Sequence, residues 1–357
     1  MDKHLLSKDN SLIVRGLAIL SIVFHNFLHF YRFGFAQENE FSFSVEKAVG
    51  FFSYLREGHI FANCLSFLGW LGVPIFIFLT GYGFAKKEIP ENRKGWKKDF
   101  IKHGFLKLLA LLVPALLFFF ALDFVHHDIW PQLLKRATYL TLLANFVYPF
   151  VFCNPGVYWY FGLTFQFYLL WALAGKYLDT KRLLAFSLLF LLGFGCLCTL
   201  QVPNLLSIYR NCFTGWFFIF AIGVYLAHNK HVAETILDKS PTWAAAVLAL
   251  LGLPIIILMN RWLIPWLFVP VISLAWFLSL EKLVLHTRVI SGIFRWIGKL
   301  SACIFVCHPI ARTITLGLLF LFDNNLFLAT LFYLSLTVSI SIIYHYYYKW
   351  VLSLRKV

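Results

Sequence analysis

"RGLAILSIVFHNFLH", residues 15–29, decides the fold. An arginine opens it, an almost unbroken apolar run follows, and two histidines, His25 and His29, close it. Apolar runs of about 17–25 residues are what a helix needs to cross a bilayer, and such runs recur along the whole chain. Of its 357 residues, 61% are hydrophobic and only 13% charged, and the mean hydropathy is +0.77. A soluble domain of this length could not cover its surface with so few polar groups. The first run lacks a small-residue cleavage site and is followed by many others, so it is expected to be a retained helix rather than a signal peptide. The fold class that follows is an all-α integral membrane protein.

Charge supports this class and excludes another. Lys and Arg number 31 against 16 Asp and Glu, a net +15. In a soluble protein that excess would suggest nucleic acid. In a membrane protein basic residues gather in cytoplasmic loops, so no nucleic-acid partner is expected. The seven cysteines, at positions 64, 153, 196, 198, 212, 303 and 307, show neither a CxxC pair nor zinc spacing. Most lie inside apolar runs, as small packing residues do. Cys153 and Cys212 fall near expected outer helix ends, the one place where a disulfide would fit.

Hydropathy gives about ten spans, near 12–33, 60–85, 104–125, 158–175, 182–200, 212–228, 243–260, 262–281, 297–321 and 326–350. The densest basic stretch, "KKEIPENRKGWKKDFIKH" (86–103), is expected in the cytoplasm with "GKYLDTKR" (175–182), "HNKHVAE" (228–234), "EKLVLHTR" (281–288) and the C-terminal "LRKV". "AQENEFSFSVEK" (36–47) and "HHDIWP" (126–131) belong outside. An even number of spans with both termini in the cytoplasm satisfies every loop. The segment 137–156 carries "ATYLTLLANFVYPFVFC", apolar enough for an eleventh span, but counting it would invert every later loop. With Asn145, Pro149 and the break "NPG" at 154–156, it reads as a re-entrant or buried outer segment, which needs protein around it. No internal repeat or hydrophilic second domain stands out, so residues 1–357 are expected to form one membrane domain.

Ionisable groups inside such spans mark pathways and active sites. Arg15 stands at the inner mouth of the first span and His25 about 15 Å further along a helix. His25 and His29 lie one turn apart on a shared face. The plain alternative is a snorkelling arginine with two packed or interfacial histidines. The functional alternative is proton transfer, for which histidine is suited near neutral pH. Two histidines at i, i+4 also suit a metal, but no third ligand has diagnostic spacing and none is expected. Late in the chain "GKLSACIFVCHPI" (298–310) brings His308 to about mid-depth, followed by Pro309, which distorts a helix and frees backbone groups.

Several blocks together resemble the membrane acyltransferase-3 family. "VRGLAILSIVFHNF" (14–27) is similar to its first helix, an Arg followed across the helix by a His. "LGWLGVPIFIFLTGYGFAKK" (68–87) resembles its second-helix motif. "LLANFVYPFVFCNPGVYWYFGLTFQFYLLW" (142–171) resembles its outer segment leading into a Trp-bearing helix. "GWFFIFAIGVYLA" (215–227) and "IGKLSACIFVCHPI" (297–310) resemble its middle and late helices. The blocks occur in order and cover nearly the whole chain.

The resemblance implies transfer of an acyl group, usually acetyl, from cytoplasmic acyl-CoA as co-substrate to a hydroxyl on an extracytoplasmic or lipid-linked glycan. The host membrane is then expected to be a bacterial inner membrane. Residue by residue, His25 matches the catalytic histidine, Arg15 its paired arginine and His308 the late histidine. Gly81 and Tyr82 match the second-helix turn. The family usually has ten residues between the Arg and the His, whereas this chain has nine, which puts Asn26 at the usual position. His29 is therefore the alternative base.

The residues agree with that chemistry in their own right. A thioester is already activated, so the protein must supply a base for the acceptor hydroxyl and bring two substrates together. An acyl-histidine intermediate is the variant mechanism. Arg15 suits a donor phosphate. Lys86, Lys87, Arg93, Lys94, Lys97 and Lys98 could attract a polyanionic CoA or merely obey topology. Glu38, Glu40, Trp159, Tyr160 and Arg210 are the acceptor-side candidates, although aromatics at span ends often form interface belts. The rival class is a transporter with an intramembrane histidine proton path, against which stands the lack of an inverted repeat.

Overall fold

The computed structural model describes residues 4–31, 34–87, 94–125, 129–147, 155–323 and 325–354. Among the described residues no strand forms and helices dominate. In chain order the longer ones are α1 (Ser11–Leu28), α2 (Val45–Arg56), α3 (Ile60–Leu68), α4 (Val73–Ala85), α5 (Trp96–Val125), α6 (Ile129–Leu140) and α7 (Trp159–Ala174). There follow α8 (Thr180–Leu200), α9 (Pro203–Asn211), α10 (Phe217–His228), α11 (Thr242–Met259), α12 (Val269–Leu285), α13 (Arg288–Gly317) and α14 (Leu326–Ser353). Local chemistry sets many of their ends. Ser44 caps α2 by accepting from the Lys47 amide, Asp179 caps α8 through Arg182, and Asn325 caps α14 through Phe327 and Leu328. Each satisfies amide donors that the first helical turn leaves without carbonyl partners.

Seven of the expected spans coincide with helices long and apolar enough to cross a membrane: α1, the run Ile60–Ala85, α5, α8, α11, α13 and α14. The remaining three coincide with α7, α10 and α12, which are 16, 12 and 17 residues long. The chain is an all-α, integral, multi-pass membrane protein.

The run 60–85 is expected as one span but is not one smooth helix. A 3₁₀ turn, Gly69–Gly72, separates α3 from α4. Pro74 has no amide hydrogen for the Trp70 carbonyl, so a regular α-helical ladder cannot pass through this point. The two glycines put the turn directly against α1. A Cβ at Gly69 would collide with the His25 Cβ and the Ser21 carbonyl, and one at Gly72 with the Ala18 carbonyl. Small residues allow this backbone-to-backbone approach, and the Ser21 hydroxyl donates to the Gly69 carbonyl at 2.6 Å.

The chain forms two compact units, neither of them one continuous segment. The first gathers the described residues of Met1–Ile89, Tyr177–Leu206 and Thr214–Ser301. In it α1 packs on α3, the 3₁₀ turn and α12, while α4 packs along α10 and α11 along α12. Ile13, Val14, Ala18, Ile19, Phe78, Phe220 and Val224 form its buried interior. The second gathers the described residues of Pro90–Lys176, Ser207–Phe213 and Ala302–Val357. There α5 packs on α6, α7 and α14, around Phe119, Tyr139, Tyr158 and Phe167.

The segment 137–156 holds no further spanning helix among its described residues. It leaves α6 after Leu140, turns through Leu142 at φ 59° and makes a 3₁₀ turn at Ala144–Phe146. Leu142, Ala144 and Asn145 are buried, as a protein-covered outer segment requires. Pro149, Cys153 and Asn154 lie outside the described residues.

Candidate active site

In the first unit His25 is buried near the end of α1. Its Nδ1 lies 2.8 Å from the Ser66 carbonyl. A carbonyl can only accept, so Nδ1 carries the hydrogen and donates. In the neutral ring the lone pair is then at Nε2. Asn26 is also buried, but its amide donates to the Ile22 carbonyl of its own helix at 3.0 Å. His29 lies one turn beyond His25, with ring centroids 5.2 Å apart. Its Nδ1 is 3.1 Å from Glu38 Oε2.

Glu38 reaches this place on a loop without regular structure, and the loop is pinned from distant positions. The Ala36 amide donates to Asn63 Oδ1 at 3.2 Å, while the Asn63 side-chain amide donates to the Tyr54 and Gly58 carbonyls at 3.0 and 2.9 Å. Ser66 donates its hydroxyl to the Ala36 carbonyl at 2.9 Å. The Trp266 indole donates to the Asn39 carbonyl at 3.0 Å. Ser66 thus serves both partners. Its carbonyl orients His25, and its hydroxyl holds the strand of loop that delivers Glu38.

Near the N-terminal segment the same unit holds a cavity of about 160 Å³, lined by His4, Ser7, Tyr82, Lys230, Glu234 and Asp238 among others. His4 Nδ1 is 2.9 Å from Asp238 Oδ2, and the Leu5 amide donates to Asp238 Oδ1 at 2.8 Å. The Lys86 ammonium sits 5.4 Å from the Tyr82 ring centroid, within cation–π range. Lys86, Lys87, Lys94, Lys97 and Lys98 are exposed, and Arg93 lies outside the described residues. Gly81 has a packing reason of its own, because a Cβ there would meet the Phe220 carbonyl of α10. Arg15 is half-buried on α1, about 15 Å along the helix from His25.

The second unit has its own buried polar residues. His308 is fully buried on α13 and its Nδ1 lies 3.2 Å from the Ile304 carbonyl one turn back. The Tyr158 hydroxyl donates to the Val306 carbonyl at 2.7 Å, and Arg312 donates to the Pro155 carbonyl at 3.1 Å. Asn145 donates to the Trp159 carbonyl at 2.9 Å and also to the Asn211 carbonyl. Tyr160 packs edge-on against Phe305, with centroids 5.3 Å apart. Arg210 is buried in the same unit.

A family model described as an acyltransferase domain matches residues 12–346. The chain belongs to the acyltransferase-3 family. Comparison with curated proteins and with solved structures finds no match.

Within this acyltransferase, the sequence candidates divide. His25, His29 and Glu38 come together, with one ligand-capable atom from each lying within 4.8 Å of the others. Glu40 is buried on the same loop. Trp159, Tyr160, Arg210 and His308 belong to the second unit, while Arg15, Gly81, Tyr82, Lys86 and Lys87 belong to the first. Sequence reasoning missed Ser66 and Asn63. Their one signal is polarity inside the apolar stretch "IFANCLSFL" (60–68), where a buried polar side chain must find partners.

Proposed function

We propose that this acyltransferase moves an acyl group, acetyl foremost, from cytoplasmic acyl-CoA to a hydroxyl of an extracytoplasmic or lipid-linked glycan, with His25 as the general base. The observation that carries the proposal is the buried His25 ring donating from Nδ1 to the Ser66 carbonyl. That bond fixes the tautomer with a lone pair at Nε2, which is what a general base requires. The acceptor hydroxyl gives its proton to Nε2 as its oxygen bonds to the thioester carbon. The carbon–sulfur bond then breaks, and the imidazolium returns the proton to the departing thiolate. The products are an ester and free CoA, and the histidine is neutral again. His29, held by Glu38, is the alternative base.

Arg15 and the exposed Lys86 and Lys87 suit the donor phosphates, with Gly81 and Tyr82 beside them on the donor path. His308 is the second histidine of the reaction. Glu38, Glu40, Trp159, Tyr160 and Arg210 are the acceptor-side residues. The membrane is the bacterial inner membrane, with both termini in the cytoplasm. These assignments are supported by the family, by the basic loops and by polar groups inside apolar helices.

The test is transfer from labelled acetyl-CoA in proteoliposomes to candidate glycans, comparing wild type with His25→Ala, His29→Ala and His308→Ala. Incorporation by wild type, abolished in His25→Ala, is expected. Loss in His29→Ala while His25→Ala remains active would move the base one turn along α1. No incorporation by wild type into any glycan would count against the reading itself.

A further inference from the structure

The geometry points to a transition-metal site formed by His25, His29 and Glu38, one that takes zinc and silences acyl transfer while it is filled. Three observations carry it. First, a ligand-capable atom from each of the three residues lies within 4.8 Å of the others. Second, His29 Nδ1 and Glu38 Oε2 are 3.1 Å apart. Atoms sharing a tetrahedral zinc at bond lengths of about 2.0–2.2 Å stand roughly 3.3–3.6 Å apart, so this hydrogen-bonded pair needs to open by only a few tenths of an ångström to chelate. Third, His25 donates from Nδ1 to a backbone carbonyl. That is the outer bond that metal-bound histidines use to fix the ring and present the opposite nitrogen.

The donor set narrows the ion. Two imidazoles and one carboxylate suit zinc, whereas magnesium and calcium prefer shells of oxygen. Two neutral rings and one carboxylate leave the filled site with a charge of +1, far cheaper to bury than a bare dication. A fourth position stays open for water. Chelation also relies on the Glu38 loop, whose hold by Asn63 and Ser66 brings the carboxylate to the helix.

The consequence for catalysis is competition for one lone pair. Zinc would take His25 Nε2, the same atom that the proposed mechanism uses to accept the acceptor's proton. Zinc-bound and base-competent His25 are mutually exclusive. The silencing half of the inference rests on His25 being the base; the binding half does not.

The test uses full-length protein in detergent, stripped with EDTA and titrated with zinc chloride. Calorimetry, with metal content measured after gel filtration, should give tight, equimolar zinc for wild type and no comparable binding of magnesium. The chain has 12 histidines, so looser sites elsewhere are discounted by comparison with variants. His29→Ala and Glu38→Gln should each weaken the tight site about 100-fold or more, and His4→Ala should leave it unchanged. Equal tight binding by wild type, His29→Ala and Glu38→Gln would overturn the assignment, as would no tight binding by wild type.

Should the variants misfold, X-ray absorption on zinc-loaded wild type decides. Two imidazoles with oxygen at about 2.0–2.1 Å support the site, and a sulfur ligand overturns it. In the transfer assay, equimolar zinc should stop incorporation and EDTA restore it. Full transfer by zinc-loaded protein would overturn the silencing. An inactive wild type with intact zinc binding would instead count against the proposed function alone.

Discussion

A single serine shows how much of this site depends on backbone chemistry. Ser66 contributes two bonds through different atoms, a carbonyl to His25 and a hydroxyl to Ala36. The substitution Ser66→Ala removes only the second. It leaves the buried Ala36 carbonyl short of a donor, so stability should fall by about 1–3 kcal/mol, read as a lower unfolding temperature in detergent. The His25 tautomer should survive, because a carbonyl remains at residue 66. Activity should therefore fall less than in His25→Gln, which places an amide where the imidazole stood. That glutamine can still donate to Ser66 but has no basic nitrogen, so kcat should drop about 10²–10⁴-fold with folding retained. If His25→Gln kept wild-type turnover, Nε2 would have no part in the reaction.

Among the helices, the pairing of α4 with α10 has a reciprocal contact that makes a sharp test. A Cβ at Gly81 would meet the Phe220 carbonyl, and a Cβ at Gly223 would meet the Phe78 carbonyl. Backbone stands on both sides, so neither helix can yield by turning a side chain. Gly81→Ala and Gly223→Ala should each cost about 1–3 kcal/mol by forcing the helices apart. Gly83→Ala, two positions along α4 with nothing within 4 Å, should be neutral or stabilise by up to about 1 kcal/mol. Thermal unfolding of the three variants checks the contrast, and equal behaviour would remove the close-packing account. The helices were legible in the sequence because each apolar run states its own length. The His25–His29 pair was legible too, since spacing of four puts two side chains on one helix face. Glu38 beside them was not legible. Its position depends on Asn63, Ser66 and Trp266, which are far off in sequence and hold a loop with no periodicity of its own. The 3₁₀ break at Gly69–Gly72 was hidden for a related reason, since glycines and a proline inside an apolar run give no hydropathy signal.

For the whole chain the open quantity is parity, because one extra crossing would move every later loop to the other side. The expected ten spans each meet a helix, three of them short, and 137–147 shows only the end of α6 and a 3₁₀ turn. Burial of Ala144 and Asn145 favours a covered segment over a lipid-facing span, because lipid cannot satisfy the backbone of an irregular stretch. The basic residues argue the same way. Lys181, Arg182 and the tail "LRKV" join the cytoplasmic side only if 137–156 does not cross. Reporter fusions convert this into a measurement. A fluorescent protein fused after Val357 should fluoresce, and alkaline phosphatase fused there should be inactive. Phosphatase fused after Phe43 should be active, because the acid-rich loop 36–47 is the first that the charge pattern expects outside. Active phosphatase at the C-terminus together with activity after Phe43 would make the number of spans odd. The segment 137–156 would then be the eleventh helix, and Lys181 and Arg182 would have to be tolerated outside against their charge.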